Sequence, residues 1–301
     1  MILSPGSRAT TDAVGLCLHQ PRRRVSLEPF WMQFLQGAED VLAESGKTLL
    51  LAVVADLSDE VATLRRWHET GQVVGVILSD LASGGDERLE LLREIEMPAV
   101  VLAQPMLAPG FATISTDNAR SIREVVEFLA AGGHRSIGRV SGPKEFMHTL
   151  VRDEAFRSAG ERLGIDTVSV WSDYTADGGA EATVELLERP DRPTAVIYDN
   201  DLMALAGLET VTSLGLSVPG DVAILAWDDS VHCQLASPPI SALMHDLVAY
   251  GADTARVLLD VLNGVPEPSR VAEQPHLVAR ESTRVVRDRE PEGHPDIHLQ
   301  G

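Results

Sequence analysis

The residues best placed to do chemistry stand at the ends of two short apolar runs. One is Pro193-Thr194-Ala195-Val196-Ile197-Tyr198, which stops at Asp199-Asn200-Asp201; the other is Val222-Ala223-Ile224-Leu225-Ala226-Trp227, which stops at Asp228-Asp229. Each reads as a β-strand ending in carboxylates and amides, the place where an open α/β sheet presents groups to a ligand. Held there, Asn200 and Asp228 could accept from and donate to hydroxyl groups in a cleft. The plainer role of such residues is to cap a helix, and for Asp201 the N-cap is the preferred reading. Phe30 and Trp31 open a helix after a proline-containing loop, where an aromatic pair more often packs a core than walls a ligand. Arg152, near the start of another helix, is by default a solvated charge.

Short apolar runs alternate with amphipathic stretches along nearly the whole chain. The runs predict strands at Val14–Leu18, Thr48–Val54, Val73–Leu78, Ala99–Leu102, Ile137–Val140, Val168–Trp171, Ala195–Tyr198 and Val222–Ala226. Helical periodicity covers Phe30–Ser45, Asp59–Thr70, Asp86–Ile95, Asn118–Gly132, Leu150–Leu163, Gly178–Arg189, Asp201–Leu214 and Leu247–Gly264. Such alternation is the mark of parallel β-α-β units with helices on both faces. There are more units than one sheet of ordinary size holds, so two lobes are expected, with the first change of lobe near Thr116-Asp117-Asn118. Residues 1–12 and 287–301 are polar and aperiodic and read as tails. His294 and His298 in the second tail have no partner ligand pair and read as solvated.

Composition narrows the function classes. The 301 residues are 44% apolar with 4% aromatics, which suits a globular α/β protein. A formal charge of -20 argues against a surface that lies along nucleic-acid phosphates. Cys17, in a strand, and Cys233, in a loop, make neither a disulfide framework nor a metal spacing. With no apolar run of membrane-spanning length and no signal-like start, a cytoplasmic location is expected. No phosphate-cradling, dinucleotide-binding, metalloprotease or nucleophile-elbow motif occurs, so neither an enzyme nor a cofactor nor a metal is expected. The densest basic cluster, Arg22-Arg23-Arg24, reads as a solvated loop; the sharper alternative is that it draws an anionic effector such as a sugar phosphate or sugar acid.

Several ordered blocks together resemble one family. They are Glu28-Pro29-Phe30-Trp31 with Gly37-Ala38-Glu39, Val74 to Leu78, Met97 to Leu102, Ile114-Ser115-Thr116-Asp117-Asn118, Gly133-His134-Arg135-Ser136-Ile137, the two strand-end segments above, Pro238-Pro239, and Leu277 to Ser282. In this order they are similar to the effector-binding core of LacI/GalR-type bacterial transcription regulators, from about Ala13 to Arg284. The resemblance implies two Rossmann-like lobes of the type I periplasmic-binding-protein kind, joined by three crossovers. It places an N-terminal lobe at 13–116 plus 246–275 and a C-terminal lobe at 117–245 plus 276–286. It implies a homodimer with a small effector, a sugar or related polyol, in the cleft. Its effector contacts fall on Phe30 and Trp31 as a stacking wall, Ser79 after the third strand, Arg152, Tyr174, Asn200, Asp228 and His245. Arg152 with Asp228 is the leading pair, a forked donor and an ionised acceptor for neighbouring hydroxyls.

The chain departs from the family at Gly220, where an acidic residue is usual, at Ala226-Trp227 and at Ile240-Ser241; Trp227 could reshape the pocket beside Asp228. Nothing before Ala13 resembles the family's helix-turn-helix headpiece, so operator DNA would be met only through a headpiece outside this sequence. The function expected is therefore the sensing core of a repressor-type regulator. The alternative, on the same fold, is a solute-binding protein of a sugar transporter.

Overall fold

The computed structural model describes residues 12–19 and 28–284. The arginine cluster at 22–24 and, apart from Asp12, both segments read as tails lie outside the described residues. The rest forms two sheets of six strands each. The first contains β1 (Ala13–His19), β2 (Thr48–Val54), β3 (Gly75–Leu78), β4 (Ala99–Leu102), β5 (Ala112–Ser115) and β11 (Ser269–Val271), in the order β11-β5-β4-β3-β1-β2, every pair parallel. The second contains β6 (Ser136–Ser141), β7 (Asp166–Trp171), β8 (Ala195–Tyr198), β9 (Ala223–Trp227), β10 (Ser241–Met244) and β12 (His276–Val278), in the order β12-β10-β9-β8-β6-β7. Here only β12 runs antiparallel, against β10.

A parallel sheet must be covered on both faces, and two apolar clusters per sheet do this. On the first sheet, α1 (Pro29–Glu44) and α9 (Leu247–Leu262) carry Phe34, Leu42, Tyr250 and Leu258 into one cluster. On its other face α2 (Leu57–Thr70) and α3 (Glu87–Glu94) supply Leu64, Trp67, Leu89 and Leu92. The second sheet is covered by α4 (Asn118–Ala131) with α5 (Met147–Leu163), and on the opposite face by α6 (Ala176–Leu187) with α7 (Asp201–Ser213).

The chain passes between the sheets three times: from β5 to α4, from β10 to α9 and from β11 to β12. The first two passages end on aspartates that cap the next helix, Asp117 accepting from the Arg120 amide and Asp246 from the Ala249 amide. Gln274, in the third passage, donates from Nε2 to the Asp117 carbonyl at 3.0 Å and to Ser121 Oγ at 2.6 Å, tying two passages together.

Helices α1 and α9 touch backbone to backbone through glycines. A Cβ on Gly37 would fall 1.8 Å from the Val248 carbonyl oxygen, and one on Gly251 would fall 1.9 Å from that of Phe34. Gly251→Ala must therefore push the helices apart, at a cost of roughly 1–3 kcal/mol. Urea unfolding should show a lower midpoint with an unchanged slope, and an unchanged midpoint would contradict the close approach.

Three features differ from the sequence reading. Asn200, not Asp201, is the N-cap of α7, its Oδ1 accepting from the Met203 amide at 2.9 Å. Cys233 lies not in a loop but in the short helix α8 (Val231–Leu235), where it is buried. Arg152 is not solvated, because it falls on the buried face of α5 with Thr149, Ala155, Phe156 and Ala159.

Candidate functional site

Because all strands of the two sheets except β12 run parallel, the residues that follow them gather at one edge of each sheet. The two edges face each other across a cavity of about 180 Å³. All eight residues singled out from the sequence line it: Phe30, Trp31, Ser79, Arg152, Tyr174, Asn200, Asp228 and His245. Phe30 and Trp31 meet edge to face, with ring centroids 5.0 Å apart, in the first turn of α1 and pack partly against the core below. Ser79 leaves β3, Asn200 leaves β8 and Asp228 leaves β9. His245 precedes the second crossover, its ring 4.9 Å from that of Tyr250, and burial holds its pKa down to about 4, so it is neutral.

Arg152 is fixed on three sides. Its Nε donates to Asn118 Oδ1 at 2.9 Å, its guanidinium lies 3.7 Å from Asp199 Oδ2, and its Cζ stands 3.6 Å from the centroid of the Trp227 ring. Trp227, the departure noted in the sequence, is thus a cation–π floor for the cavity's arginine.

Asp199 is the member that sequence reasoning missed. Its carboxylate takes a fork from Arg139, Nε at 2.9 Å and a terminal nitrogen at 2.5 Å, and accepts from the Gly142 amide at 3.2 Å. Both side chains of this ion pair are wholly buried. Burial alone would raise the Asp199 pKa, but the charges of Arg139 and Arg152 outweigh it and hold it below the usual carboxylate range. A signal was available: Arg139 sits between Gly138 and Val140 in a central strand, where an arginine needs a buried carboxylate.

Asp228 behaves in the opposite way. Burial pushes its pKa up to about 7, Arg152 opposes this, and the negative charges of Asp201, Glu28 and Asp199 add to it. Its backbone is left-handed, with φ of 68°, as are those of Asp80 at 51° and Tyr174 at 64°. Three non-glycine residues in this conformation around one cavity mark backbone strain kept at a site. Asn200 helps hold it, since its Nδ2 donates to the Tyr174 carbonyl at 3.0 Å. It still has one N–H and one lone pair to offer.

Comparison with known proteins agrees with this architecture. The model of the periplasmic binding protein-like domain matches residues 126–283. The chain is 31% identical over 278 residues to the HTH-type transcriptional regulator CelR of Thermobifida fusca, covering 90% of this chain and 81% of the relative. A crystal structure of a LacI family transcriptional regulator from Bifidobacterium animalis is 35% identical, with a TM-score of 0.82, covering 91% of this chain and 98% of that one. The chain belongs to the LacI family of transcriptional regulators. Within that family, a solved CelR–cellobiose complex shares 31% identity and a TM-score of 0.81, covering 90% of this chain and 84% of the other. These LacI-family relatives are regulators rather than enzymes, and they do not favour the transporter alternative. No helix among the described residues is long and apolar enough to cross a membrane.

Proposed function

We propose that this chain is the effector-sensing and dimerisation core of a cytoplasmic LacI-type repressor, and that its effector is a neutral sugar or related polyol. The observation that carries this reading is the charge pattern of the cavity. Arg152 is its one Lys or Arg side chain among the described residues, and it is already matched to Asp199, while Asp80 and Asp228 stand by as acceptors. Carboxylates facing aromatic walls suit hydroxyl groups and sugar-ring faces, not phosphate or carboxylate ligands. The relative solved with cellobiose supports the same class. Phe30, Trp31, Ser79, Tyr174 and His245 would wall the ligand, and Arg152, Asn200 and Asp228 would hold its hydroxyls. An effector touching both lobes binds their closed arrangement better than an open one, and this difference biases the placement of the DNA-reading headpieces in the dimer.

A thermal-shift screen followed by calorimetry with cellobiose, maltose, glucose, glucose 6-phosphate and gluconate tests the class. A bound sugar at 100 times its Kd adds ~2.7 kcal/mol, enough to raise the melting temperature by several degrees. Stabilisation by the two anions alone, lost at high salt, would overturn the neutral-sugar reading.

For the dimer, α8 supplies support: Val231 and Leu235 are 62% and 80% exposed on one five-residue helix. Such apolar side chains suit burial against a second copy. Sedimentation of Leu235→Asp should give monomers where the unaltered chain gives dimers. A dimer that persists in the variant would move the interface elsewhere.

A further inference from the structure

The lobes are joined across the mouth of the cavity by main chain. The loop after β3 and the segment before α5 form an antiparallel bridge at Ala82 and Phe146. The Met147 amide donates to the Leu81 carbonyl at 2.8 Å and the Ser83 amide to the Glu145 carbonyl at 2.7 Å. The next residue, His148, points into the cavity and stands between two polar side chains from opposite lobes. Its Nε2 is 2.8 Å from the Tyr174 hydroxyl, and its Nδ1 is 3.8 Å from Asp80 Oδ1. Its ring lies nearly parallel to those of Phe146 and Tyr174, with centroids at 5.7 and 6.3 Å.

We propose that Asp80, His148 and Tyr174 form a second hydroxyl-recognition point, assembled from both lobes only when the bridge is closed, and that it sets specificity for a neutral sugar hydroxyl. This rests on the sugar-binding reading of the cavity. A tyrosine hydroxyl donating to Nε2 leaves the histidine proton on Nδ1, aimed at the Asp80 side. The 3.8 Å gap between Nδ1 and the carboxylate is too long for a direct hydrogen bond. A ligand hydroxyl beside it can accept from Nδ1 and donate to Asp80 at the same time, which an ether oxygen, a methyl group or an ionised carboxylate cannot do. Burial and the nearby Arg152 charge hold the His148 pKa down to about 4, so the ring stays neutral and keeps both roles.

The N-terminal half of this point is set from behind by Arg88, a buried positioning residue. Its guanidinium donates to the Asp80 carbonyl at 2.8 Å, to Asp86 Oδ2 at 2.6 Å and to Glu60 Oε2 at 2.7 Å. The same Glu60 oxygen meets Nε2 of His19, another cavity residue, at 2.5 Å. Asp86 in turn accepts from the Ala82 amide at 2.9 Å, so one cation anchors both ends of the bridging loop. With these contacts Asp80 can hold its left-handed backbone.

The test uses cellobiose as probe, with calorimetry and an interlobe distance measured in parallel. Spin labels at Met106→Cys and Leu214→Cys occupy exposed sites, while Cys17 and Cys233 are buried and stay unlabelled. Tyr174→Phe and Asp80→Asn should each weaken cellobiose binding at least tenfold. His148→Ala should lengthen the distance in the ligand-free chain, and His148→Gln, which retains a donor and an acceptor, should restore most of it. Wild-type affinity in both Tyr174→Phe and Asp80→Asn overturns the proposal. If the unaltered chain does not bind cellobiose, the sugar reading fails for this probe, and the distance alone decides. Lengthening in His148→Ala with recovery in His148→Gln then supports the cross-cleft assembly, and an unchanged distance overturns it.

Discussion

Replacing Asp199 by alanine is expected to cost the fold about 3–5 kcal/mol at pH 7, because it strands a charge rather than deleting a contact. Arg139 is fully buried, and without Asp199 its one remaining acidic neighbour among the described residues is Asp153, at 3.3 Å and partly exposed. Arg152 loses the same partner and should swing from the Trp227 face, so sugar binding fails with the fold only partly lost. Asp199→Asn should also destabilise, since its one oxygen can accept from only one arm of the Arg139 fork while its amide hydrogens face the other. The pH dependence follows from the lowered pKa of Asp199. Its contribution is present above the ordinary carboxylate pKa and is lost as acid protonates the folded state, so wild type and variant should converge at low pH. Urea midpoints at pH 7 and in acid measure this. A loss below about 1 kcal/mol at pH 7 would mean that Arg139 is not stranded, its charge being taken over by Asp153 or by water.

Asp228→Asn should move stability and binding in opposite directions. The Asp228 pKa rises from 3.8 to about 7 on folding. Between those values the folded chain keeps a proton that the unfolded chain gives up, so wild-type stability falls as pH climbs through that window. Asparagine removes the ionisation, so the ligand-free variant should match wild type near pH 4 and exceed it above pH 7, by at most about 4 kcal/mol. Above pH 7, where the folded carboxylate is ionised, binding loses a charged acceptor, worth roughly 1.5–3 kcal/mol. Melting curves at pH 5 and pH 8, with calorimetry using the sugar found by the screen, check both halves. A variant less stable than wild type at pH 8 would show that the carboxylate is comfortably paired.

What the sequence reveals about these residues follows from how local their signals are. Strands β2, β4 and β8 were legible to the residue, since each is an unbroken apolar run bounded by polar or turn residues. Strands β5 and β10, Ala-Thr-Ile-Ser and Ser-Ala-Leu-Met, have no such run and exist because neighbouring strands pair with them. The eight cavity residues came through a family resemblance; their own spacing does not mark Tyr174 or His245. Asp199 was hidden by its neighbour Asn200, and Asp80 and His148 are joined only by tertiary packing between lobes.

The three crossings between sheets also constrain how the molecule can be made. Strand β12 and the turn after it close the second sheet, with the Ser282 hydroxyl accepting from the Ser241 amide at 2.8 Å and donating to the Ile224 carbonyl at 2.6 Å. Strand β11 and helix α9 likewise complete the first sheet from the far end of the chain. Neither lobe is a contiguous stretch, so during vectorial synthesis both nascent lobes wait, edge strands unpaired and apolar faces open, for the same closing segment to leave the ribosome. A nonsense mutation just before Ser269 would leave two unfinished sheets rather than one good lobe and one bad, and its product should be a substrate for chaperones and proteases instead of a half-active fragment.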